Sequence, residues 1–286
     1  MPLRKPSWYS KKKSLRQGEH RMCLIAFHLQ QHPTYSLILA ANRDEFYDRP
    51  TKPAHFWEEH PELLAGKDLH AGGTWLGITK TGRLAALTNY RDPLSVQQDL
   101  ISRGEIVKDF LTSTEHASTF IDKLEAQKTC YNGFNLLAGT IDELHYYSNM
   151  LPSGHPIEEG THALSNKFLN TPWPKVDKAR TELNDYVSLS ETIETEKLFD
   201  LMRTSEQAPD HKLPDTGVGL DLERKLSPAF IQMPNYGTRC TTVVLVTHDG
   251  SVHFEERTYT DGNLTETIVE KFSVVSEQSE ETKSLK

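Results

Sequence analysis

The chain has 286 residues, of which 36% are apolar, 9% aromatic and 25% charged, a profile that supports a buried core without staples and excludes collagen-like, coiled-coil and wholly disordered chains. The net charge of −8 is uneven: residues 1–21 hold seven Lys/Arg and one acid, a balance of +6, so the remainder stands at −14. An acidic body of this kind argues against a nucleic-acid binder, which needs positive contact surface, and no window approaches about 18 uninterrupted apolar residues, so no membrane-spanning helix is expected.

Residues 1–21 have no apolar run and are not a secretory signal. Being rich in Lys/Arg and almost acid-free, they loosely resemble an organellar transit peptide, but Pro2, Pro6 and Lys11–Lys13 leave no clear amphipathic period. A disordered extension and an over-called start, with translation beginning at Met22, are the other readings, and the last is the one carried forward. Three scattered cysteines, Cys23, Cys130 and Cys240, form no CxxC pair and fit a reducing, cytoplasmic compartment.

From Cys23 the texture becomes that of a folded domain, expected to span 22–275. Cys23–Leu29 and Ser36–Ala41 read as buried strands of a hairpin turning at Gln30–Tyr35. Asn42–Pro53, polar and holding Pro50 and Pro53, reads as a loop. Leu63–Ala65, Thr74–Thr79 and Arg83–Thr88 read as short strands, the last two joined by Lys80–Thr81–Gly82. Ser102 and Glu105 have capping-box spacing ahead of a helix with Ile106, Val107, Phe110 and Leu111 on one face. A second helix covers about Ala117–Gln127. Phe134–Gly139, Leu144–Ser148 and His162–Ser165 return to strand. Helices are expected over Pro174–Val187, with Pro174 in the first turn, and over Glu191–Met202. Residues 205–220 read as a long loop. Cys240–Thr247 and Val252–Thr258 form a hairpin across Asp249–Gly250, Leu264–Phe272 adds a strand, and residues 276–286 read as a charged, frayed tail. Strands flanking a central group of helices indicate an α+β fold.

Several chemistries are missing from the sequence. It holds no GxxxxGK[ST], no HExxH, no GxSxG and no complete dinucleotide fingerprint, so no cofactor or metal is expected. His28 and His32 sit on a strand and its turn, where their spacing does not converge on a metal.

Met22–Cys23 is the informative pair. If Cys23 becomes N-terminal, a thiol and a free α-amine share one residue, and the amine, with a reference pKa of about 7.7–8.0, can serve as general base for its own side chain. Without that, Cys23 is a small buried residue opening a strand. Asn42–Arg43–Asp44–Glu45 closes the neighbouring strand, so Arg43 and an acid can stand beside Cys23, where an Arg would favour thiolate. Asn89, Asn166 and Arg239 lie at other strand ends; amides there can serve as oxyanion donors, although each alone reads as a turn residue. Trp75, in GGTWLG, reads as core.

The runs MCLIAF, LILAANRDEF, AGGTWLGI, LTNYRDP and GTRCTTVVLV, in this order over Met22–Phe272, resemble the NRDE family, also called the transport and Golgi organisation family. The resemblance implies the four-layer αββα sandwich of the N-terminal nucleophile hydrolases, similar to the choloylglycine and penicillin V acylases. It implies Cys23 as nucleophile, Arg43 with Asp44 (or Glu45) beside it, Asn89 and Asn166 at the oxyanion, and Arg239 as a late site arginine. Two functions follow as expectations. One is a cysteine hydrolase that transfers an acyl group from an amide or thioester to water. The other is a non-catalytic trafficking protein holding a hydrophobic ligand such as haem or lipid. A plain scaffold, with its tryptophans serving packing, is the third reading.

Overall fold

The computed structural model describes residues 22–275; the readings of residues 1–21 and 276–286 lie outside the described residues. Two antiparallel sheets form its centre. The first takes the order β10 (Gly160–Leu164), β1 (Cys23–Leu29), β2 (Tyr35–Phe46), β12 (Tyr236–Thr247), β13 (Ser251–Thr260), β14 (Asn263–Ser273), with β11 (Gln232–Met233) paired to β12. The second runs β3 (Thr51–Phe56), β4 (Leu63–Asp68), β5 (Leu76–Thr79), β6 (Arg83–Asn89), β7 (Phe134–Thr140), β8 (Leu144–Ser148), β9 (His155–Pro156).

Period-two alternation sorts the buried residues of the central strands among three apolar layers. Ile25, Phe27 and Leu29 of β1, with Leu37, Leu39 and Ala41 of β2, meet Ile78, Leu84 and Leu137 of the second sheet between the sheets. The alternate residues Leu24, Ala26, Ile38 and Ala40 face outward onto helices α3 (Pro174–Leu189) and α4 (Thr195–Met202). On the other side Ala65, Ala85, Leu87 and Leu136 pack on α1 (Arg103–Thr112) and α2 (Ala117–Ala126). The result is the four-layer αββα sandwich that the resemblance implies. Among the described residues no helix is long and apolar enough to cross a membrane.

The structure corrects several readings. Asn42–Pro53 is not a loop: β2 continues to Phe46 and β3 starts at Thr51, because the polar end of β2 is hydrogen-bonded on both edges, to β1 and to β12. Ser102 stands at the α1 N-cap but its side chain makes no capping bond; the Glu105 N–H instead donates to the Ser102 carbonyl at 3.1 Å. The third strand of the second sheet starts at Leu76, and α4 starts at Thr195. The 205–220 loop contains a single turn at Asp210–Lys212 and runs into an unforeseen helix, α5 (Leu220–Leu226). Strands β3, β9 and β11 are too short or too polar to have shown in the apolar pattern.

Asn42 carries much of this register. Its Nδ2 donates to the carbonyls of Met202 and Ala229, both at 2.8 Å, and its Oδ1 accepts from the Thr241 hydroxyl at 2.6 Å. Fully buried, it ties β2 to the end of α4. Asn42→Ala strands three buried partners, so chemical denaturation is expected to give a loss of about 3 kcal/mol. A loss below about 0.5 kcal/mol would show that the ties are replaceable.

Candidate active site

The same alternation positions the candidate residues. Cys23 continues the series Ile25, Phe27, Leu29, so its side chain belongs to the inter-sheet face at the open end of β1. Arg43 is directly opposite it on β2, and Cys240 of β12 is opposite Arg43. Arg43 and Glu45 share this face and lie 3.7 Å apart. The charges continue outward: Glu45 meets Arg49 at 3.6 Å, and Arg49 meets Asp68 at 2.7 Å. The Arg43 guanidinium lies over the Trp75 ring, 4.3 Å from its centroid. Gly66 makes room for that ring, since a Cβ there would stand 2.2 Å from it. Trp75, read as core from the sequence, packs against the inter-sheet core and also borders the site.

These groups enclose a cavity of about 70 Å³ bordered by Cys23, Arg43, Glu45, Trp75, Asn89 and Arg103. Its far wall is the start of α1. Gly73 and Gly104 touch backbone to backbone there, and a Cβ on Gly73 would stand 2.3 Å from Gly104. The cavity is far below the roughly 300–1,000 Å³ of ordinary ligand pockets.

Asn89 and Asn166 come together although 77 residues separate them. The Thr88 hydroxyl donates to the Ser165 carbonyl at 2.6 Å, joining the two sheets. Asn166 Nδ2 donates to the Asn89 carbonyl at 2.8 Å, while its Oδ1 accepts from the Cys23 N–H at 3.4 Å. Here, then, Asn166 holds the backbone nitrogen of Cys23. The Ser165 hydroxyl lies 2.7 Å from the Cys23 carbonyl.

Two predicted side chains face elsewhere, although Asp44 still borders the cavity. Asp44 has the opposite parity to Arg43 and points to the helix layer. There its Oδ1 accepts from the Thr238 hydroxyl at 2.6 Å, and its Oδ2 is buried with no hydrogen-bond partner. Burial raises Asp44 to about 6, against the pull of Lys175, Thr238 and Arg43. Its backbone still serves the site, because the Asp44 N–H donates to the Met22 carbonyl at 3.1 Å. Arg239 occupies a β-bulge, where the β12 register slips between Thr238 and Cys240. Its Nη1 donates to the carbonyls of Phe46, Tyr47 and Arg49 at 2.8, 3.1 and 3.1 Å. It clamps the turn leaving β2 and does not border the cavity.

Sequence reading passed over Arg91, Lys175 and Glu223, all buried. Arg91 Nη1 pairs with Glu223 at 2.7 Å. Lys175, in the first turn of α3, donates to the Leu226 carbonyl at 3.2 Å; burial pushes it down to about 8, with Asp44 opposing and Arg91 reinforcing the shift. A lone charged residue in a helix turn or loop carries no signal of its own, so only the fold reveals these three.

The chain matches the family model described as Transport and Golgi organisation 2 over residues 22–261. It belongs to that family. It is 38% identical over 260 residues to the "Transport and Golgi organization 2 homolog" of Mus musculus, covering 84% of this chain and 94% of that one. The Homo sapiens homologue is 38% identical over 277 residues, covering 89% and 100%. The Drosophila melanogaster "Transport and Golgi organization protein 2" is 30% identical over 285 residues, covering 87% and 98%. Among solved structures, a mutant conjugated bile acid hydrolase from Clostridium perfringens aligns with a TM-score of 0.48 at 8% identity, covering 89% of this chain and 97% of that one. A Caenorhabditis elegans N-acylethanolamine-hydrolyzing acid amidase ortholog gives 0.38 at 11%, covering 78% and 92%.

The family match begins at Met22, directly before Cys23. With that peptide bond intact, the thiol is pushed up to about 12, first by burial and then by the Asp44 carboxylate; the Asp44 N–H and Arg43 pull weakly the other way. In the full-length family member, iodoacetamide should therefore label Cys23 at pH 8 about a thousandfold more slowly than an unhindered thiol. Peptide-level mass spectrometry reads the rate; labelling of Cys23 at the speed of a free cysteine would refute this.

Proposed function

We propose that this protein is an amide or thioester hydrolase whose nucleophile is Cys23 once its α-amine has been freed from Met22. The observation that carries the reading is the double hold on the Met22–Cys23 peptide: its nitrogen donates to Asn166 Oδ1, and its carbonyl oxygen accepts from the Asp44 N–H. With Met22 gone, Asn166 has a free amine to orient, and the Asp44 N–H becomes a donor for a substrate oxygen.

In the step that follows, the α-amine accepts the Cys23 thiol proton and the sulfur attacks the carbonyl carbon. The oxyanion meets the Asp44 N–H, with Asn89 bordering the same cavity. Collapse breaks the bond to the leaving group, and the α-ammonium returns its proton to the departing nitrogen of an amide or sulfur of a thioester. Water, deprotonated by the same amine, then cleaves the thioester, giving the acid and the free thiol. Arg43, fixed over Trp75 and beside Glu45, favours the thiolate.

A second reading, ligand handling without turnover, draws on the state of Cys23 while Met22 is attached. The base is then an amide and the thiol is held protonated. Cys23→Ala separates the two, because a carrier of haem or lipid keeps its in-cell function without the thiol.

Intact-mass analysis of protein made from the native gene is expected to find chains that begin at Cys23. Those chains, screened against amides and acyl thioesters, should hydrolyse at least one of them. Cys23→Ala should cost about a thousandfold or more in kcat, and kcat/KM should rise with pH through about 8 as the amine loses its proton. A mature chain that retains Met22 sinks the mechanism.

A further inference from the structure

Met22 has the opposite parity to Cys23 and sends its side chain into a closed chamber in the helix layer. It is buried to 1% exposure. The walls are apolar: Leu226, Ile231 and Tyr236, with Phe46 and Trp173 packed alongside. The floor is not. Arg91 Nη2 points at the Met22 sulfur at 2.7 Å, and a thioether is a weak acceptor. Arg91 Nε is buried with no partner, while Nη1 is committed to Glu223 and to Thr216. The side chain of this arginine is only 3% exposed. A guanidinium so deeply enclosed ordinarily meets carboxylates or carbonyls on all its edges. Here two N–H-bearing edges face sulfur or nothing.

The chamber is also next to the chemistry. The Met22 carbonyl already occupies the donor that a substrate carbonyl would need, the Asp44 N–H. A substrate carbonyl that takes its place brings its acyl chain along the path Met22 follows now. We infer that the Met22 chamber is the acyl-chain subsite of the enzyme and that it selects a short, unbranched acyl group, about as long as a methionine side chain, ending in a carboxylate that pairs with Arg91. This rests on the hydrolase reading for its place in a reaction, but the chamber itself can be tested without any turnover. The charges around it are Arg91 with Glu223, and Lys175 with Asp44. These balance, so an entering carboxylate is held by the two N–H edges of Arg91 that meet no oxygen.

The test uses the full-length chain carrying Met22→Gly, which empties the chamber and leaves the backbone in place. The probes are butyrate and 1-butanol, similar in size and different in charge. Met22→Gly is expected to lower the thermal midpoint, and butyrate at about 10 mM to restore about 3 °C or more of it, with 1-butanol restoring under about 1 °C. Wild type, with its chamber filled, should respond to neither. The double change Arg91→Met with Glu223→Gln, made in the Met22→Gly background so that no buried charge is orphaned, should abolish the butyrate effect; if this variant does not fold, Arg91→Lys serves in its place and should weaken the butyrate effect several-fold, by giving up the planar fork. Equal restoration by butanol, no restoration by either probe, or a butyrate effect indifferent to the Arg91 changes each overturns the subsite. Because the readout is binding, its failure is distinct from a failure of Cys23 to be released or to turn over substrate.

Discussion

The candidate site depends on a single constraint: β2 is a twelve-residue strand hydrogen-bonded along both edges, to β1 and to β12. Strict alternation then divides its polar end. Arg43 and Glu45 go to the inter-sheet face with Cys23, and Asn42 and Asp44 go to the helix face with Lys175 and Met202. A slip of one residue would exchange the two sets and put Arg43 against α3. The register is pinned from outside the strand by the three bonds of Asn42 and by the Arg239 clamp on the turn that follows. Four consecutive residues thus serve two faces: one pair builds the site's charge and the other anchors the frame that holds it.

That charge is nearly self-cancelling. Arg43, Glu45, Arg49 and Asp68 alternate in sign along one row. Such a row meets the desolvation cost of burying each member, yet it leaves little net positive field for a thiol. Burial accordingly dominates at Cys23 and lifts it to about 12, with Arg43 only a minor opposing influence. Whatever activates the sulfur must come from close range. On the proposed function that group is the nitrogen of Cys23 itself, held 3.4 Å from Asn166 Oδ1.

The fold was legible where apolar periodicity carried it. The β1–β2 hairpin, the Asp249–Gly250 hairpin and the α1 and α3 helices stand close to where alternation and 3.6-residue spacing put them. It was illegible where polar groups are satisfied by distant parts of the chain. Asn42–Phe46 looks like a loop because nothing local shows that Met202, Ala229 and Thr238 supply its partners. The same limit applies to the site. Cys23, Arg43, Asn89 and Asn166 could be named as strand-end residues; in the structure Cys23, Arg43 and Asn89 border one small cavity, and Asn166 bonds Cys23 and Asn89 beside it. The direction in which Asp44 points and the bulge that turns Arg239 away follow from strand pairing, which a single sequence does not display. Arg91, Lys175 and Glu223 are further still from view, since their meaning arises only when loop, α3 and α5 converge behind β1.

The residue before the candidate nucleophile is held at three points. Its nitrogen donates to the Tyr236 hydroxyl at 2.7 Å, its carbonyl accepts from Asp44, and its sulfur caps Arg91. The same hold keeps the Cys23 nitrogen in an amide bond, which cannot serve as a base. Each of these contacts becomes an unsatisfied buried group if Met22 leaves, at a cost of about 1–3 kcal/mol apiece until something replaces it. A carbonyl oxygen, an amine and an acceptor for the guanidinium are what the vacated groups require. An acyl donor brought to Cys23 supplies the oxygen and the acceptor, and the freed α-amine supplies the third. On the proposed function, the binding energy available to a substrate is the same energy that now fixes Met22.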